Sequence, residues 1–334
     1  MILFDSRWIG DHGIGRFAKE IYDRMDMKGF YNTYKPTSPY DPLRLSFNKN
    51  ISSYDLFFSP GYNAPLISKK PYILTIHDLN HIDRKENSSI LKNIYYRTVL
   101  AILCQKSLAI FTVSEFSKRR IVEFFHVPRQ KIFVVGNGVS AEFLPYGRKQ
   151  SYDKPYIFCV SNRKGHKNEV NLINAFINSN FSKSAYLVFT GNINQQLKSL
   201  ISSLDVEKKV IFTGRITDAE MASFYRGAIF SIFPSYYEGF GLPIVESFAC
   251  GTPVITSNVT SMPEIAGQAA LLVNPDSQQE ISNAIDILSA NIELRKDLSL
   301  QGLERAKFYT WDKVVSRIEE AFKLLGYDDL IKRI

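Results

Sequence analysis

Short apolar runs alternate with longer amphipathic segments along the whole chain of 334 residues. Runs rich in β-branched and aromatic side chains predict strands, and apolar residues at helical spacing predict helices. The strands predicted in the first half are 2–4, 55–59, 72–76, 108–113 and 132–135. The clearest helices predicted there are 16–25, 89–103 and 116–125. This alternation is typical of a parallel α/β sheet.

The same pattern restarts after a polar segment, residues 144–155, which carries two prolines and a glycine and is the predicted linker. The strands predicted beyond it are 156–160, 186–189, 210–212, 229–233 and 253–256. Capping boxes at Thr217 and Ser277, each with a glutamate three residues on, predict two helix starts. We therefore predict two Rossmann-like domains facing each other across a cleft. The predicted boundaries are 1–148, 149–312 and a C-terminal helical segment, 313–334, that packs back on the first domain.

Composition limits the class of protein. Hydrophobic residues make up 45% of the chain, which is typical of a folded protein. We expect no membrane-spanning helix and no signal peptide, because no sufficiently long apolar run and no basic leader is visible. The cysteines Cys104, Cys159 and Cys250 are far apart in apolar runs, which predicts buried thiols in a reducing cytosol.

The positive charge is concentrated in the first half. The net charge is +8, and residues 1–150 hold 22 basic and 13 acidic residues, so the remainder is nearly balanced. Such a half could face anionic lipid, a phosphorylated acceptor or nucleic acid, or it could simply be a soluble basic surface. No nucleic-acid-binding motif accompanies the charge, so nucleic acid is not a predicted partner.

Glu238 and Glu246 lie eight residues apart around two glycines and a proline. Pro243 suits the first turn of a helix and Gly251 the position just after it, so Glu238 is predicted at a strand's carboxyl end and Glu246 in the next helix. Free N–H groups at this helix start would cradle a phosphate. The N–H groups of this cradle would be those from about Phe240 to Ile244, among them those of Gly241 and Leu242. Glu246 by itself could merely complement the helix dipole, but the combination favours a sugar-nucleotide site.

Arg163, Lys164 and Lys167 crowd the turn after the first strand of the second half. Clustered cations at a helix start repel one another and the dipole, so a bound anion such as a diphosphate is expected there. Arg163 and Lys167 are the predicted clamp, Lys164 is their substitute, and Asn168 is the predicted N-cap of the next helix. The alternative is a solvated basic loop.

Residues at three further sites are candidates for ligand binding or chemistry, and at the first two sites an ordinary structural role is an alternative. His77 ends the strand 72–76, where it would bond a sugar hydroxyl, move a proton or serve only as a satisfied strand-end histidine. Gly13 and Gly15 precede a helix predicted to begin at about residue 16, and they allow close backbone approach to a ligand or only a tight turn. Arg215 and Ile216 follow a glycine at another strand end and are candidates for holding a nucleobase.

Together, these motifs resemble the retaining glycosyltransferases of family 4, which have the GT-B fold. The resemblance covers essentially the whole chain and is carried by residues 13–17, 75–79, 112–117, 167–168, 212–214, 238–246, 251–254 and 262–264. The Gly-Ile-Gly-Arg start looks most like mannosyltransferase-type enzymes of polysaccharide and O-antigen assembly. The basic turn departs from the family's commoner Gly-Arg…Arg-Lys-Asn, which leaves the roles of its three cations open.

The resemblance implies a role for each domain. The second domain would bind a nucleotide sugar, and the first a glycan or lipid-linked saccharide acceptor. Glu246 would hold the ribose hydroxyls, Glu238 the donor sugar, and Arg163 and Lys167 the departing diphosphate. His77 would lie at the reacting centre. Further donor-binding positions are Gly13, Gly15, Lys164, Arg215, Ile216, Phe240, Gly241 and Leu242.

The expected function is retaining, metal-independent transfer of a hexose, with mannose from GDP-mannose as the first choice, in surface polysaccharide or O-antigen assembly. No Asp-x-Asp occurs in the chain, which fits cations and helix-start amides stabilising the leaving group, and no cofactor is expected. We expect a cytoplasmic protein, peripheral at the inner face of the cytoplasmic membrane. The open alternatives are another donor sugar (rhamnose, glucose, N-acetylglucosamine or fucose), a GT-B-fold epimerase or phosphorylase, and a non-catalytic binding module.

Overall fold

The chain forms two compact units. A computed structural model describes residues 1–10 and 13–330, so Asp11 and His12 of the glycine-rich start and residues 331–334 lie outside the described residues. The first unit contains Met1–Gly138 and the segment that begins at Trp311, and the second is Val139–Thr310. The chain passes from the first unit to the second between residues 138 and 139, and it returns to the first between residues 310 and 311. The predicted boundaries lay between residues 148 and 149 and between residues 312 and 313.

The segment predicted as a linker is packed onto the second unit. The Arg226 side chain donates from Nη1 to the carbonyl of Leu144 at 3.0 Å and from Nε to that of Arg148 at 2.9 Å. The backbone N–H of Gln150 donates to the carbonyl of Ser223 at 2.9 Å. Because these carbonyls and this N–H are bonded to the second unit, the polar, proline-containing sequence behaves as part of that unit.

Each unit is built on a parallel sheet. The strands of the first sheet are β1 (Ile2–Phe4), β2 (Lys28–Gly29), β3 (Leu56–Phe58), β4 (Tyr72–Thr75), β5 (Ala109–Thr112) and β6 (Ile132–Val134). The strands of the second sheet are β7 (Tyr156–Cys159), β8 (Tyr186–Phe189), β9 (Val210–Phe212), β10 (Phe230–Phe233), β11 (Val254–Ser257) and β12 (Ala270–Val273). The prediction of a two-domain α/β protein is confirmed, and β2 and β12, which the pattern did not predict, are both edge strands.

In each sheet, the first strands are added in one direction, and the later strands are then added on the opposite side of the sheet's first strand. Over the residues that the structure describes, the first sheet runs β2-β1-β3-β4-β5-β6 and the second β12-β11-β10-β7-β8-β9. The order switches between β1 and β3 in the first unit and between β7 and β10 in the second. In sheets of this type, ligands bind beyond the carboxyl ends of the strands at such a switch.

Helices connect the strands. In chain order they are α1 (Gly13–Tyr22), α2 (Asp41–Ser46), α3 (Lys49–Ser52), α4 (Asn80–Asp83), α5 (Ile90–Tyr95), α6 (Ala101–Lys106), α7 (Glu115–Phe125), α8 (Glu169–Asn178), α9 (Gln195–Ser203), α10 (Asp218–Gly227), α11 (Leu242–Ala249), α12 (Met262–Ala266), α13 (Gln278–Ala290), α14 (Ile292–Ala306) and α15 (Trp311–Leu324). A π-helical turn, Tyr96–Leu100, joins α5 to α6. Among the described helices, none is long and apolar enough to cross a membrane.

The two predicted capping boxes differ in the structure. At the start of α10, Thr217 accepts from the Glu220 N–H and the Glu220 carboxylate accepts from the Thr217 N–H, which confirms that box. At the start of α13, Ser277 Oγ accepts from the Glu280 N–H at 3.1 Å, but the Glu280 carboxylate accepts from the N–H of Asn274 at 2.9 Å. The second box is therefore half formed, because a preceding turn presents a competing donor.

The last helix completes the core of the first unit. On α15, Val314, Ile318 and Phe322 are each fully buried, and they pack with Phe58 and Phe111 of the first sheet. The Phe322 ring lies 6.1 Å from that of Phe58 and 6.0 Å from that of Phe111, both edge to face. This helix therefore buries its apolar face against strands that lie more than two hundred residues earlier in the chain.

Helix α1 begins at Gly13, three residues before the predicted start, so both glycines of the Gly-x-Gly motif lie in its first turn. A Cβ at Gly15 would lie 2.3 Å from the carbonyl oxygen of Gly10, whereas a Cβ at Gly13 would meet nothing within 4 Å. Gly15 is thus required for close packing of the helix start against residue 10.

We expect Gly15→Ala to lower the free energy of unfolding of the first unit by about 1–3 kcal/mol, because the added methyl group overpacks rigid backbone. Gly13→Ala is the matched control, and it should be neutral or stabilising because alanine is the better helix former. Thermal and urea unfolding of both variants measure the difference. Equal effects of the two substitutions would contradict this packing.

Candidate active site

The loop between β10 and α11 forms as the sequence predicts. Gly241 adopts a left-handed conformation with φ 101° just before α11, and Pro243 lies in the first turn of that helix. Gly251 has φ 70° just beyond the helix end, where an L side chain would be strained. Glu238 lies in the loop five residues after β10, and Glu246 lies in the second turn of α11. The limits of the helix are therefore as predicted, whereas Glu238 lies in the loop beyond the strand and not at the strand end itself.

Glu238 forms an ion pair with Lys167. Lys167 Nζ lies 2.7 Å from Glu238 Oε1, and the two side chains are only 14% and 17% exposed. Lys167 follows β7 and Glu238 follows β10, which are neighbours at the switch point of the second sheet. The two predicted site residues, 71 positions apart in sequence, thus meet where ligands bind in folds of this kind.

The ion pair determines the protonation state of Glu238. Burial raises the pKa of this carboxyl, but the charge and hydrogen bond of Lys167, with smaller contributions from His166 and Ser235, outweigh burial, so its pKa is lowered from the ordinary 4.5. A pocket beside the pair is lined by both side chains, by Gly241 and Pro243 at the start of α11, and by apolar residues that include Met262. The pocket therefore combines an ammonium group, a carboxylate and the start of a helix.

Neighbouring hydroxyls hold the Glu238 loop in place. Ser261 Oγ donates to the carbonyl of Glu238 at 2.9 Å and lies 3.0 Å from that of Phe240. The N–H of Glu238 lies 3.3 Å from Oγ1 of Thr260, which has a left-handed backbone with φ 58°. The sequence analysis did not predict that Ser261 and Thr260 support this loop. A single hydroxyl residue in a loop, or a non-glycine residue with a left-handed backbone, does not stand out in the pattern of apolar and polar positions. The side chain of Phe240 is itself buried against Tyr309, with the ring centroids 5.4 Å apart.

Glu246 lies inside the second unit. The residue is 4% exposed, and its Oε2 accepts a hydrogen bond from the Tyr225 hydroxyl at 3.1 Å. Burial, and then the Glu246 charge, raise the pKa of the Tyr225 phenol well above its ordinary value, so this hydroxyl remains a donor. Tyr225 fixes the carboxylate from α10. Its role was not predicted, since nothing in the helical pattern separates it from an ordinary core tyrosine.

Arg163 is directed away from Lys167. Its Nη1 lies 2.7 Å from Oε1 of Glu169, and its Nη2 donates to the carbonyl of Thr190. The guanidinium carbon lies 5.3 Å from the ring centre of Phe189 and 5.0 Å from that of Phe212. The two cations predicted as one clamp therefore contact different glutamates, and the clamp remains a prediction.

Asn168 occupies the predicted N-cap position of α8, but its side chain does not cap the helix. Asn168 has a left-handed backbone with φ 60°, and its side chain makes no capping hydrogen bond to α8. Its amide nitrogen instead donates to the carbonyls of Pro234 at 2.9 Å and Pro275 at 2.7 Å. The left-handed backbone turns the amide away from the helix start, and Asn168 thereby ties the basic turn to the loop after β10.

The remaining predicted positions of the second unit lie at its surface. Lys164 is exposed at the start of the 3₁₀ turn Gly165–Lys167. Arg215 is exposed and Ile216 is half-buried, just after Gly214, which pairs with Gly191 across the ends of β9 and β8. Lys164 follows β7, whereas Arg215 and Ile216 follow β9, and β8 lies between these strands in the second sheet. Their contact with a ligand remains a prediction.

His77 lies in the first unit, just after β4. Its Nε2 lies 3.0 Å from the carbonyl oxygen of Pro60, and its ring meets that of Phe17 edge to face at 5.0 Å. A carbonyl only accepts, so Nε2 carries the proton. In the neutral ring this leaves Nδ1 as the acceptor. Gly13 and Gly15 lie in the same unit, in the first turn of α1.

Within the described residues, no group of three or more His, Cys, Asp or Glu side chains is arranged to hold a metal ion.

Both units match known families. The description "Glycosyltransferase Family 4" matches residues 26–143, and "Glycosyl transferases group 1" matches residues 147–305. HepE of Anabaena, solved with UDP and glucose, has the same fold, with a TM-score of 0.78 at 16% identity over 97% of this chain and 99% of that one. The two family matches show that the chain is a glycosyltransferase, and the likeness to HepE shows that its fold is GT-B. The chain belongs to glycosyltransferase family 4.

Two curated relatives are more similar in sequence. The chain is 28% identical to O-antigen chain mannosyltransferase B of Escherichia coli over 81% of its own length and 74% of that protein. It is also 28% identical to O-antigen chain mannosyltransferase RfbU of Salmonella typhimurium, over 67% of this chain. The match spans 62% of the length of RfbU, somewhat under two thirds.

A double-mutant cycle tests the ion pair. Lys167→Met leaves the Glu238 carboxylate buried without its partner, so we expect it to lower the free energy of unfolding of the second unit by about 3 kcal/mol. Glu238→Gln in the same chain should restore much of this loss, because it removes the uncompensated charge. Urea unfolding of the four proteins gives the coupling, and strictly additive effects would show that the pair does not couple.

The pH dependence of stability has a definite sign. Because the folded-state pKa of Glu238 is lowered, the pair stabilises the fold above about pH 4.5 and loses this contribution as the pH falls through the folded-state pKa. In Lys167→Met, the largest lowering contributions are lost while burial remains, so the pKa of Glu238 should rise relative to that in the parent chain. Carboxyl ¹³C NMR of glutamate-labelled protein measures both values, with Glu238→Gln identifying the resonance. A pKa unchanged by Lys167→Met would refute this account.

Proposed function

We propose that this chain is a retaining mannosyltransferase that transfers mannose from GDP-mannose to a glycan or lipid-linked saccharide acceptor in O-antigen assembly. The observation that carries the proposal is the Lys167–Glu238 ion pair beside the start of α11. The names of the two curated relatives favour mannose and O-antigen. HepE was solved with UDP and glucose, but at 16% identity it supports only a shared fold with this chain. It therefore does not indicate which sugar or which base this chain binds.

The proposed chemistry needs the developing negative charge of a nucleoside diphosphate to be stabilised. An ammonium group and the first N–H groups of a helix are suited to that task, since both attract phosphate. Lys167 is held by Glu238 at 2.7 Å, so its position is already defined before a ligand arrives. A preorganised cation avoids the cost of reorientation when the leaving group departs. We assign Lys167 to the diphosphate, with Arg163 as the second cation and Lys164 as its substitute.

The carboxylates have separate tasks in this proposal. Glu246, fixed by Tyr225, accepts the hydroxyls of the nucleotide ribose. Glu238, which stays ionised because Lys167 lowers its pKa, accepts hydroxyls of the donor sugar. The sugar's configuration is retained by transfer on the face from which the diphosphate leaves. Neither carboxylate serves as a covalent nucleophile in this proposal. No metal ion takes part in the proposed reaction.

His77 is the proposed contribution of the first unit to the reacting centre. The Pro60 carbonyl fixes its orientation and places the proton on Nε2. In the neutral ring, Nδ1 is then an acceptor for a hydroxyl of the sugar.

Two substitutions test the assigned residues. We expect Lys167→Ala and Glu246→Gln each to lower kcat/KM for sugar transfer by about 10²–10³, the range found when one electrostatic contact to a transition state is removed. Lys198→Gln, an exposed lysine of the same unit, is the matched control and should retain full turnover. Near-normal rates in either site variant would rule out these assignments.

The donor and the reaction class need a separate experiment. Thermal shifts with GDP-, UDP-, dTDP- and ADP-sugars should be largest for GDP-mannose, since ligand at about 100 times its Kd stabilises by about 2.7 kcal/mol. NMR of the product should show an α-mannoside, and EDTA should leave the rate unchanged. Conversion of the donor in the absence of any acceptor would instead indicate the epimerase.

A further inference from the structure

The segments that follow three strands of the first sheet enclose a second pocket. Its volume is about 190 Å³, whereas a single water molecule needs only about 10–15 Å³. Among its lining residues, Thr37 follows β2, Tyr62 follows β3 and His81 follows β4. The strand order of this sheet reverses between β1 and β3, which lie between β2 and β4. The pocket therefore belongs to the carboxyl edge of the sheet at its switch point, where ligands bind in folds of this kind.

Three tyrosines line this pocket, which we call the tyrosine pocket. The rings of Tyr62, Tyr95 and Tyr96 pack on one another, with centroids 6.3 to 6.4 Å apart. Tyr62 also meets the ring of Trp8 edge to face at 5.2 Å, which supports it from behind. A tyrosine presents an apolar ring and a polar hydroxyl. A sugar ring has the same two properties, because its C–H groups are apolar and its hydroxyls donate and accept hydrogen bonds. The lining is therefore suited to a sugar ring.

Polar groups of the tyrosine pocket are held in fixed positions. The Tyr95 hydroxyl donates to Oδ1 of Asn63, whose side chain is completely buried. Burial raises the pKa of the Tyr95 phenol, so this hydroxyl stays protonated. Nδ1 of His81 lies 2.9 Å from the carbonyl oxygen of Asn87. Because a carbonyl only accepts, Nδ1 carries the proton, and Nε2 of the neutral ring is an acceptor. The phenol oxygen and the imidazole nitrogen can thus both accept hydrogen bonds from sugar hydroxyls.

A buried triad of charges anchors the outer wall of the pocket. Arg7, just after β1, donates from Nε and Nη2 to Asp5, each at 2.7 Å, and from Nη1 and Nη2 to Asp41 at 2.7 and 3.0 Å. The Arg7 side chain is only 3% exposed, and both aspartates are fully buried. Asp41 is the first residue of α2, directly after the loop that carries Thr37. The guanidinium therefore joins the end of β1 to the far end of this loop.

The middle of the same loop is bonded to the residue that holds the Tyr95 hydroxyl. Nδ2 of Asn63 donates to the carbonyl of Pro36 at 2.6 Å and to that of Ser38 at 3.2 Å, on either side of Thr37. A buried network of charges is weak evidence for stability, because apolar residues of the same shape often stabilise a fold equally well. We infer that this network fixes one arrangement of the loop, and with it the shape of the tyrosine pocket.

We propose that the tyrosine pocket binds a sugar ring and that Arg7 is a positioning residue that holds its outer wall. The ring lies against the faces of the tyrosines, and Tyr95 and His81 accept its hydroxyls. The inference rests on the proposed function only for the source of the ring, which is the saccharide acceptor. It goes beyond that function because it assigns the ring to particular side chains, and because Arg7 acts on the ligand only through the loop.

Binding of simple methyl glycosides tests the pocket without donor or turnover. Saturation-transfer NMR of the full chain should show binding of at least one of the methyl glycosides of mannose, glucose, galactose, rhamnose and N-acetylglucosamine, with the millimolar affinity ordinary for one small ring. Thr37→Trp fills the pocket with an indole and should weaken this binding about tenfold or more. No binding of any glycoside, or binding that Thr37→Trp leaves intact, would overturn the proposal.

The same loop supplies the matched control. Thr33 is exposed and does not line the pocket, so Thr33→Trp adds the same indole outside it and should leave glycoside binding unchanged. Circular dichroism confirms the fold of each variant. An equal loss in Thr33→Trp and Thr37→Trp would show that the loop is merely perturbed and would overturn the assignment of the pocket.

Arg7→Lys tests the anchor. Lysine keeps the positive charge but lacks the planar fork that bonds two carboxylates at once, so we expect glycoside affinity to fall about threefold or more. The affinity for GDP, which the second unit is proposed to bind, should be unchanged. Asp41→Asn keeps an acceptor for the guanidinium and should retain most of the glycoside affinity. Unchanged glycoside affinity in Arg7→Lys, or a parallel loss of GDP affinity, would refute the positioning role.

The pocket and the proposed function fail in different experiments. A chain that binds glycosides in the tyrosine pocket but transfers no sugar would refute the proposed function and leave the sugar site intact. In a chain that does transfer sugar, Thr37→Trp should raise the KM for the acceptor and leave the KM for the donor unchanged. An unchanged acceptor KM in that variant would overturn the pocket and leave the proposed function intact.

Discussion

The ion pair between Lys167 and Glu238 is the interaction on which the second unit's site depends. It joins the loops that follow β7 and β10, the neighbouring strands at which the order of the sheet reverses. Each loop by itself would hold a nearly buried charge, which is costly without a partner. Together they form a fixed ammonium–carboxylate unit, and Ser261 and Thr260 hold the backbone that carries the carboxylate. The pair is therefore both a structural link and a prearranged electrostatic site.

The backbone of the basic turn explains why its cations separate. Arg163 and Asn168 both have left-handed backbones, with φ 64° and 60°, although neither is a glycine. The chain consequently changes direction at both ends of the turn, so Arg163 points to Glu169 and Lys167 to Glu238. A second cross-link, from the Asn168 amide to two proline carbonyls, offsets part of the strain. The backbone conformation of the turn therefore directs its cations to different sides.

Sequence reasoning was most reliable where local chemistry decides the structure. Pro243 and Gly251 have fixed positional preferences at helix ends, so the limits of α11 could be predicted, and apolar runs gave the inner strands. The partners of buried polar groups could not be predicted, because a carboxylate such as Glu246 is compatible with many donors and only the fold brings Tyr225 to it. The position of Asn168 at the start of α8 could be predicted, but the partners of its side chain could not, because an asparagine amide can cap a helix or bond to distant carbonyls. Edge strands such as β2 are too short to show a period.

The place of α15 in the chain has a consequence for biosynthesis. Its apolar residues fill the core of the first unit, yet the whole second unit lies in the sequence between α15 and the strands that α15 covers. On the ribosome, the first sheet must therefore wait, with one side of Phe58 and Phe111 uncovered, until α15 has been synthesised. The second unit is one continuous stretch of chain and has no such delay. The unit that is made first is thus completed last, which makes its exposed sheet the natural target for chaperones during synthesis.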